Sequence, residues 1–249
     1  QRQMCIRDSD STYLKLPEQA GLTPDENRNV VKATVEEAIE QGFKLIMIRP
    51  DMVSMACGMI NDADSAVDVG TVIDFPDGDG GLEAKLAEAT KAIADGADDL
   101  DFVADYKAYK RGEVNKVEEE IVKCTNLGLA NGRVVKWIIE VAALTDEEIK
   151  GICVLIKGAV SAFADVDDYK HIFVKSSTGF YKTEGGKPNG ATPETIKIML
   201  ESAAPLPVKA AGGVRNYSEA VAMIKLGVKR IGTSSAKAIA EGGLAGDGY

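Results

Sequence analysis

Histidine is nearly absent: the 249-residue chain carries one, His171. A multi-histidine metal site is therefore excluded, and any Ser-His-Asp or Cys-His mechanism would have to pass through that residue. Cysteine is sparse too. Cys5, Cys57, Cys124 and Cys153 form no Cys-x-x-Cys, which leaves zinc-ribbon and dithiol readings without support. Cys124 falls on a helical stripe with Val114, Val117 and Ile121 and reads as a small buried hydrophobe. No apolar run approaches the roughly 18 residues of a transmembrane helix. Positive charge is in deficit, with 29 Lys and Arg against 39 Asp and Glu, which argues against a general nucleic-acid binder. Nothing resembling a signal or transit peptide opens the chain, and residues 1–9 read as a non-native or disordered start. Few, scattered thiols fit a reducing, cytoplasmic compartment. If the chain is an enzyme, its acid–base chemistry falls to lysines and carboxylates.

No linker or composition shift divides the chain. Its 45% hydrophobic and 27% charged residues describe an ordinary globular protein, and its length suits one α/β barrel of about 250 residues. Short β-branched apolar runs at 11–15, 44–48, 67–73, 99–103, 134–140, 172–176, 208–211 and 230–233 predict eight strands. Amphipathic stretches at 24–41, 50–61, 82–95, 113–127, 145–157, 193–202, 217–226 and 235–241 predict helices between them. Capping boxes begin at Thr23 and Thr145, with the same device at Thr192 and Asn216. Gly42, Gly96, Gly128 and Gly227 stand as helix stops. Strict alternation implies a parallel sheet, and eight units imply closure into a single-domain (β/α)8 TIM barrel spanning 10–243, with a flexible tail at 244–249. An open doubly wound sheet is disfavoured, because no Gly-x-Gly-x-x-Gly follows the first strand.

Charged residues sit inside several of these apolar runs. Lys175 ends His-Ile-Phe-Val-Lys and precedes Ser-Ser-Thr-Gly; Lys209 lies in Pro-Val-Lys-Ala-Ala-Gly-Gly; Asp101 alternates with Leu100 and Phe102. Lys136 and Glu140 share one face of the fifth run, opposite Trp137. Any one could be an exposed strand end. As a set they predict a polar cluster near the C-terminal mouth, since neither face of a barrel strand meets open water and an unpaired buried lysine costs several kcal/mol. Two lysines and an aspartate have a specific chemical use. A second cation and desolvation lower a lysine toward neutrality, and the neutral amine can form a Schiff base while a carboxylate shuttles protons. Neither metal nor cofactor is needed. Gly212-Gly213 after the seventh strand, and Gly232-Thr-Ser234-Ser235 after the eighth, fall where barrels of this type commonly hold phosphate.

At these residues the chain resembles the deoxyribose-phosphate aldolases, class I Schiff-base aldolases on a (β/α)8 barrel. The resemblance is carried by Phe-Val-Lys-Ser-Ser-Thr-Gly at 173–179, Val-Lys-Ala-Ala-Gly-Gly-Val-Arg at 208–215, Gly-Ala-Asp-Asp-Leu-Asp at 96–101 and Arg-Ile-Gly-Thr-Ser-Ser at 230–235. It runs from about residue 10 to 243. It implies reversible cleavage of 2-deoxy-D-ribose 5-phosphate to D-glyceraldehyde 3-phosphate and acetaldehyde, in deoxyribose phosphate catabolism. By position, Lys175 would be the Schiff-base lysine, Lys209 the neighbour that depresses its pKa, and Asp101 the acid/base. Thr178, Gly179, Gly212, Gly213, Ser234 and Ser235 would bind substrate on the phosphate side. Asp10 and Thr12, which match a first-strand motif, and Lys136, which matches an interior lysine, would bind substrate as well. The implied partners are small phosphosugars and aldehydes, with neither nucleic acid nor membrane, and a homodimer is compatible with the family.

Three positions depart from some relatives. Phe180 stands where a lysine can be, so phosphate charge would fall to Arg215, Lys182 or backbone dipoles. Met47 replaces a cysteine near the substrate, and it could also simply fill barrel space. Tyr249 ends a short tail, where relatives use a terminal tyrosine in proton transfer. Two other readings stay open on the residues alone: another phosphosugar barrel enzyme, such as an isomerase or epimerase, and a non-catalytic phosphosugar-binding barrel. Both leave the paired lysines unexplained.

Overall fold

The computed structural model describes residues 9–186 and 188–242. Eight parallel strands, β1 (Ser9–Thr12), β2 (Leu45–Ile48), β3 (Asp68–Ile73), β4 (Asp99–Val103), β5 (Val134–Ile138), β6 (Ile172–Lys175), β7 (Val208–Ala211) and β8 (Arg230–Thr233), pair in chain order. β8 returns to β1, with Asp10 opposite Gly232, and closes the barrel. The surrounding helices are α1 (Pro24–Gln41), α2 (Val53–Asp62), α3 (Leu82–Ala94), α4 (Val114–Ala130), α5 (Asp146–Ser161), α6 (Pro193–Ala203), α7 (Tyr217–Leu226) and α8 (Ala236–Ala240). The single-domain (β/α)8 architecture is therefore the one expected. Among the described residues no helix is long and apolar enough to cross a membrane. Of the expected start and tail, Ser9 opens β1; Cys5, Tyr249 and the rest of both segments lie outside the described residues.

Local chemistry accounts for most boundaries. Thr23 and Thr145 close full capping boxes with Glu26 and Glu148, and Thr192 does so with Thr195. At Asn216 only half of the device forms, because Glu219 accepts from the Arg215 N–H at 2.6 Å. Three expectations need correction. β1 starts earlier than 11 and ends at Thr12: its Ser-Asp-Ser-Thr sequence has no apolar signature, because its inward residues are polar. Gly128 does not stop α4 but lies buried within it, where a Cβ would come 2.3 Å from Val135 Cγ2. That glycine permits close helix–sheet approach, and α4 continues to Ala130. Val114, placed on the buried stripe with Cys124, is instead exposed, whereas Val117, Ile121 and Cys124 are buried.

The main apolar core lies between sheet and helices. Trp137 on β5 stacks on Phe102 of β4 with centroids 5.2 Å apart, and its indole N–H donates to Thr125 Oγ1 of α4 at 3.0 Å. This layer also contains one charged cluster. Lys85 of α3 is fully buried and donates to Gly78 O at 2.7 Å and Glu120 Oε2 of α4 at 2.8 Å, with Asp74 Oδ2 at 3.0 Å.

The barrel interior divides into two halves. Around β2 and β3 it is apolar, with Leu45, Met47 and Val72 packed against Leu14 and, at the rim, Phe75 and Phe180. Gly70 makes this packing possible, since a Cβ there would meet Met47 Cε at 2.6 Å. Met47 thus fills barrel space. Around β4 to β8 and β1 the interior is charged.

Candidate active site

Strand register brings the charged half together. Asp101 of β4 lies beside Lys136 of β5, Lys175 of β6 beside Lys209 of β7, and Lys209 beside Arg230 of β8. Parallel neighbours in register present their side chains to the same face, so alternation within each strand suffices to aim all of them inward. Asp101 is the hub. Its Oδ2 accepts from Lys175 Nζ at 2.8 Å and Lys209 Nζ at 3.0 Å, and its Oδ1 accepts from Lys136 Nζ at 2.7 Å. Lys209 Nζ also lies 2.5 Å from Asp10 Oδ2, and Lys136 Nζ donates to Asp99 Oδ2 at 2.6 Å. Arg230 donates from Nε to Asp10 Oδ1 at 2.8 Å and from Nη2 to the same oxygen. Its Nη2 is 3.6 Å from Asp99 Oδ2.

These partners decide the charge states. Burial alone would raise the Asp101 carboxyl, but Lys136, Lys175 and Lys209 outweigh it and hold the group well below the usual carboxylate range. Asp10 is lowered in the same way, burial being outweighed by Lys209, Arg230 and Lys136. Burial disfavours charge on Lys136 as well, yet Asp101 and Asp99 raise it. Lys175 goes the other way. Burial, the largest influence, pushes its amine down to about 8; Asp101 opposes this, and Lys209 adds to it. Lys175 is thus an amine that is partly neutral near physiological pH.

Above the cluster a cleft of about 50 Å³ opens at the C-terminal mouth. Of the residues expected at a substrate site, Lys175, Thr12, Thr178, Gly179, Gly212, Gly213 and Ser234 line it. Asp10, Asp101, Lys136 and Lys209 are not on its wall; they lie fully buried in the barrel interior. Ser235 does not line the cleft either. It precedes α8, and its N–H donates to Thr233 Oγ1 at 3.0 Å. Gly212 and Gly213 both have positive φ, 74° and 80°, a backbone that favours glycine. Arg215 also lines the cleft, whereas Lys182 does not.

Glu140 departs from its expected strand face. It follows β5 with φ of 55°, and its buried carboxylate accepts from Thr178 N at 3.1 Å and from Thr178 Oγ1. It therefore anchors the loop after Lys175, and burial raises its pKa.

No role is assigned to Asp99, Arg230 or Asn189 from the sequence. Asp99 shares a strand face with Asp101 two residues on, and Arg230, like Lys209, is a charge within a short β-strand, so the signal that marks the lysines is present for both. Asn189 lines the cleft from the β6–α6 loop and donates to Gly179 O at 3.3 Å. No local pattern marked it.

A buried amine of lowered pKa, opening on a cleft and backed by a carboxylate and a second ammonium, can add to an aldehyde and form an imine. Comparison with known proteins places the chain among aldolases. Residues 17–242 match the family model described as DeoC/LacD family aldolase. The deoxyribose-phosphate aldolase of Thermococcus gammatolerans is 38% identical over 229 residues, which cover 92% of this chain and 95% of that protein. Among solved structures, an aldolase called QR15 has a TM-score of 0.79 at 32% identity, covering 95% of this chain and 94% of its own. The tetrameric deoxyribose phosphate aldolase of Aeropyrum pernix has a TM-score of 0.76 at 30% identity, covering 97% and 91%.

Proposed function

Because the chain belongs to the DeoC/LacD family of aldolases, and is a carbon–carbon lyase, we propose that it reversibly cleaves 2-deoxy-D-ribose 5-phosphate to D-glyceraldehyde 3-phosphate and acetaldehyde through a Schiff base on Lys175. Family membership sets aside the isomerase and the non-catalytic barrel. The observation that carries the choice of nucleophile is the contrast between the two lysines. Lys175 lines the cleft and its amine is pushed down to about 8. Lys209 does not line the cleft and is held between two carboxylates, at 2.5 Å from Asp10 and 3.0 Å from Asp101.

In the cleavage direction the neutral Lys175 amine adds to C1 of the open-chain sugar. The resulting carbinolamine loses water when a proton reaches its oxygen, leaving an iminium. A base then removes the proton of the C3 hydroxyl, the C2–C3 bond breaks, and its electron pair moves toward the iminium nitrogen. Glyceraldehyde 3-phosphate departs and an enamine remains. Protonation at C2 and addition of water return acetaldehyde and the free amine. Asp101 touches both ammonium groups through one oxygen, which supports it as the group that passes protons between Lys209 and the reacting centre. A carboxylate flanked by three cations is a weak base at rest, so Lys209 supplies the labile proton. The phosphate would rest on the Gly212 and Gly213 N–H groups and Ser234, with Arg215 contributing the positive charge that Phe180 does not.

Borohydride reduction in the presence of acetaldehyde tests this reading. Intact mass should rise by one reduced acetaldehyde adduct, mapped to Lys175. Absence of an adduct, or an adduct on Lys209 alone, would refute the assignment.

A further inference from the structure

The buried charges form a closed circuit. Asp99 bonds Lys136 at 2.6 Å, Lys136 bonds Asp101 at 2.7 Å, and Asp101 accepts from Lys209 at 3.0 Å. Lys209 meets Asp10 at 2.5 Å, Asp10 accepts from Arg230 at 2.8 Å, and Arg230 returns to Asp99 at 3.6 Å. Anion and cation alternate all the way round, three of each, so the ring is neutral. Lys175 hangs from it by one contact, to an Asp101 oxygen already shared with Lys209. Every carboxylate of the ring is matched within it, and the one carboxylate oxygen that Lys175 binds is already shared with Lys209.

We propose that Arg230 and Asp99, which do not line the cleft, are positioning residues that set the protonation of Lys175 by closing and balancing this ring. The inference rests on Lys175 being the reactive amine. Arg230 acts through its neighbours. By holding Asp10 from the β8 side, it leaves Lys209 incompletely neutralised, and Lys209 then acts on Lys175 as a cation. Without Arg230 the ring carries one excess anion, Asp10 falls wholly to Lys209, and a protonated Lys175 restores neutrality. Loss of the Asp99 charge does the reverse, since Lys136 and Arg230 are then undermatched and a further proton on Lys175 is disfavoured. The charged groups facing Lys175 come from every neighbouring strand: Asp10, Asp99, Asp101, Lys136, Lys209 and Arg230, with Glu140 at the end of β5. Glu140 stands apart from the ring, because its carboxylate is committed to Thr178. Neither ring substitution removes a partner of Glu140, so its influence on Lys175 is expected to be alike in parent and variants.

The test reads amine protonation without aldol chemistry. Cyanate carbamylates neutral amines, and the rate at Lys175 relative to an exposed reference lysine, mapped by mass spectrometry across pH 6–11, reports the midpoint. Arg230→Met is expected to raise that midpoint by about one unit, roughly a tenfold fall in labelling on the acid limb, and Asp99→Asn to lower it by a similar amount. The double variant, again neutral, should return close to the parent, as should Arg230→Lys, which keeps the charge. Shifts of the same sign in the two single variants, or no shift in either, overturn the proposal. If Arg230→Met does not fold, the Asp99→Asn arm decides alone. Cleavage of deoxyribose 5-phosphate is followed in parallel. Midpoints that move as expected in a chain that never cleaves this sugar would refute the proposed reaction and leave the ring intact; cleavage with unmoved midpoints would refute the ring.

Discussion

Replacing Lys209 by leucine removes one positive charge close to Lys175. The two amines bind the same Asp101 oxygen, at 2.8 and 3.0 Å, so they lie at most about 6 Å apart. At an effective dielectric near 20, two unit charges at that distance repel by about 2.8 kcal/mol, which corresponds to about two pKa units. Both groups are buried, so solvent screens little of this. Lys175, now pushed down to about 8, should titrate near 10 in the variant. At pH 7.5 the neutral fraction would fall from about a quarter to well under one per cent, roughly an 80-fold loss. The assay is the initial rate of acetaldehyde trapping under cyanoborohydride from pH 6 to 10.5, which follows imine formation rather than turnover. The variant should be slow at neutral pH and recover to within about threefold of the parent at the alkaline end. An unmoved midpoint, or an equal deficit at every pH, would refute charge tuning and leave lost geometry as the role of Lys209.

Other perturbations follow from the same contacts. Lys175 binds a proton less readily in the folded chain, at about 8 against 10.5, so its contribution to stability is full above the unfolded value and is lost as pH falls toward 8. Lys175→Met should therefore stabilise the fold at pH 7 by up to about 3 kcal/mol, the gain shrinking between pH 8 and 10.5 in urea titrations. Lys85→Met leaves Glu120 and Asp74 without their shared cation and should cost about 3–5 kcal/mol in the same measurement, with little change in trapping at Lys175 if the variant still folds. Gly232→Ala would bring a methyl within 3.0 Å of Lys209 Cε; turnover should fall while the melting temperature changes by only a few degrees. Gly128→Val, against a Cβ position already 2.3 Å from Val135, should instead destabilise the fold by about 1–3 kcal/mol or more in urea titration.

The barrel was legible because seven of its strands are short apolar runs separated by helices with explicit caps, which is a repeating pattern. β1 was placed late because Asp10 and Thr12 occupy its inward face, and a polar strand has no hydrophobic period to read. Lys175, Lys209 and Asp101 could be found one at a time, each being a charge inside an apolar segment. Their connection to one another, and to Asp99 and Arg230, depends on register between strands far apart in the chain, which local patterning does not encode. Gly128 illustrates the converse problem: a glycine near a helix end signals a stop equally well whether it caps the helix or makes room for Val135. The Lys85 cluster was invisible because Lys85, Glu120 and Asp74 look like ordinary surface charges until α3 and α4 pack together.

Closure of the barrel between β8 and β1 also bears on how a newly made chain becomes competent. Asp10 and Arg230 are 220 residues apart in sequence, so their pairing is among the last contacts that synthesis allows. A chain extended only through β7 already carries Lys175, Lys209, Asp101 and the two cleft glycines Gly212 and Gly213 are just emerging, yet Asp10 has no guanidinium and the ring is open. On the ring proposal, Lys175 would then have a counter-charge available and would stay protonated. Given that role of the ring, reactivity toward aldehydes would be withheld from the growing polypeptide until the fold is complete. A carbonyl-reactive amine on an unfinished chain would be open to every cellular aldehyde; a ring closed only by β8 and β1 would make the reactive state and the native topology arrive together.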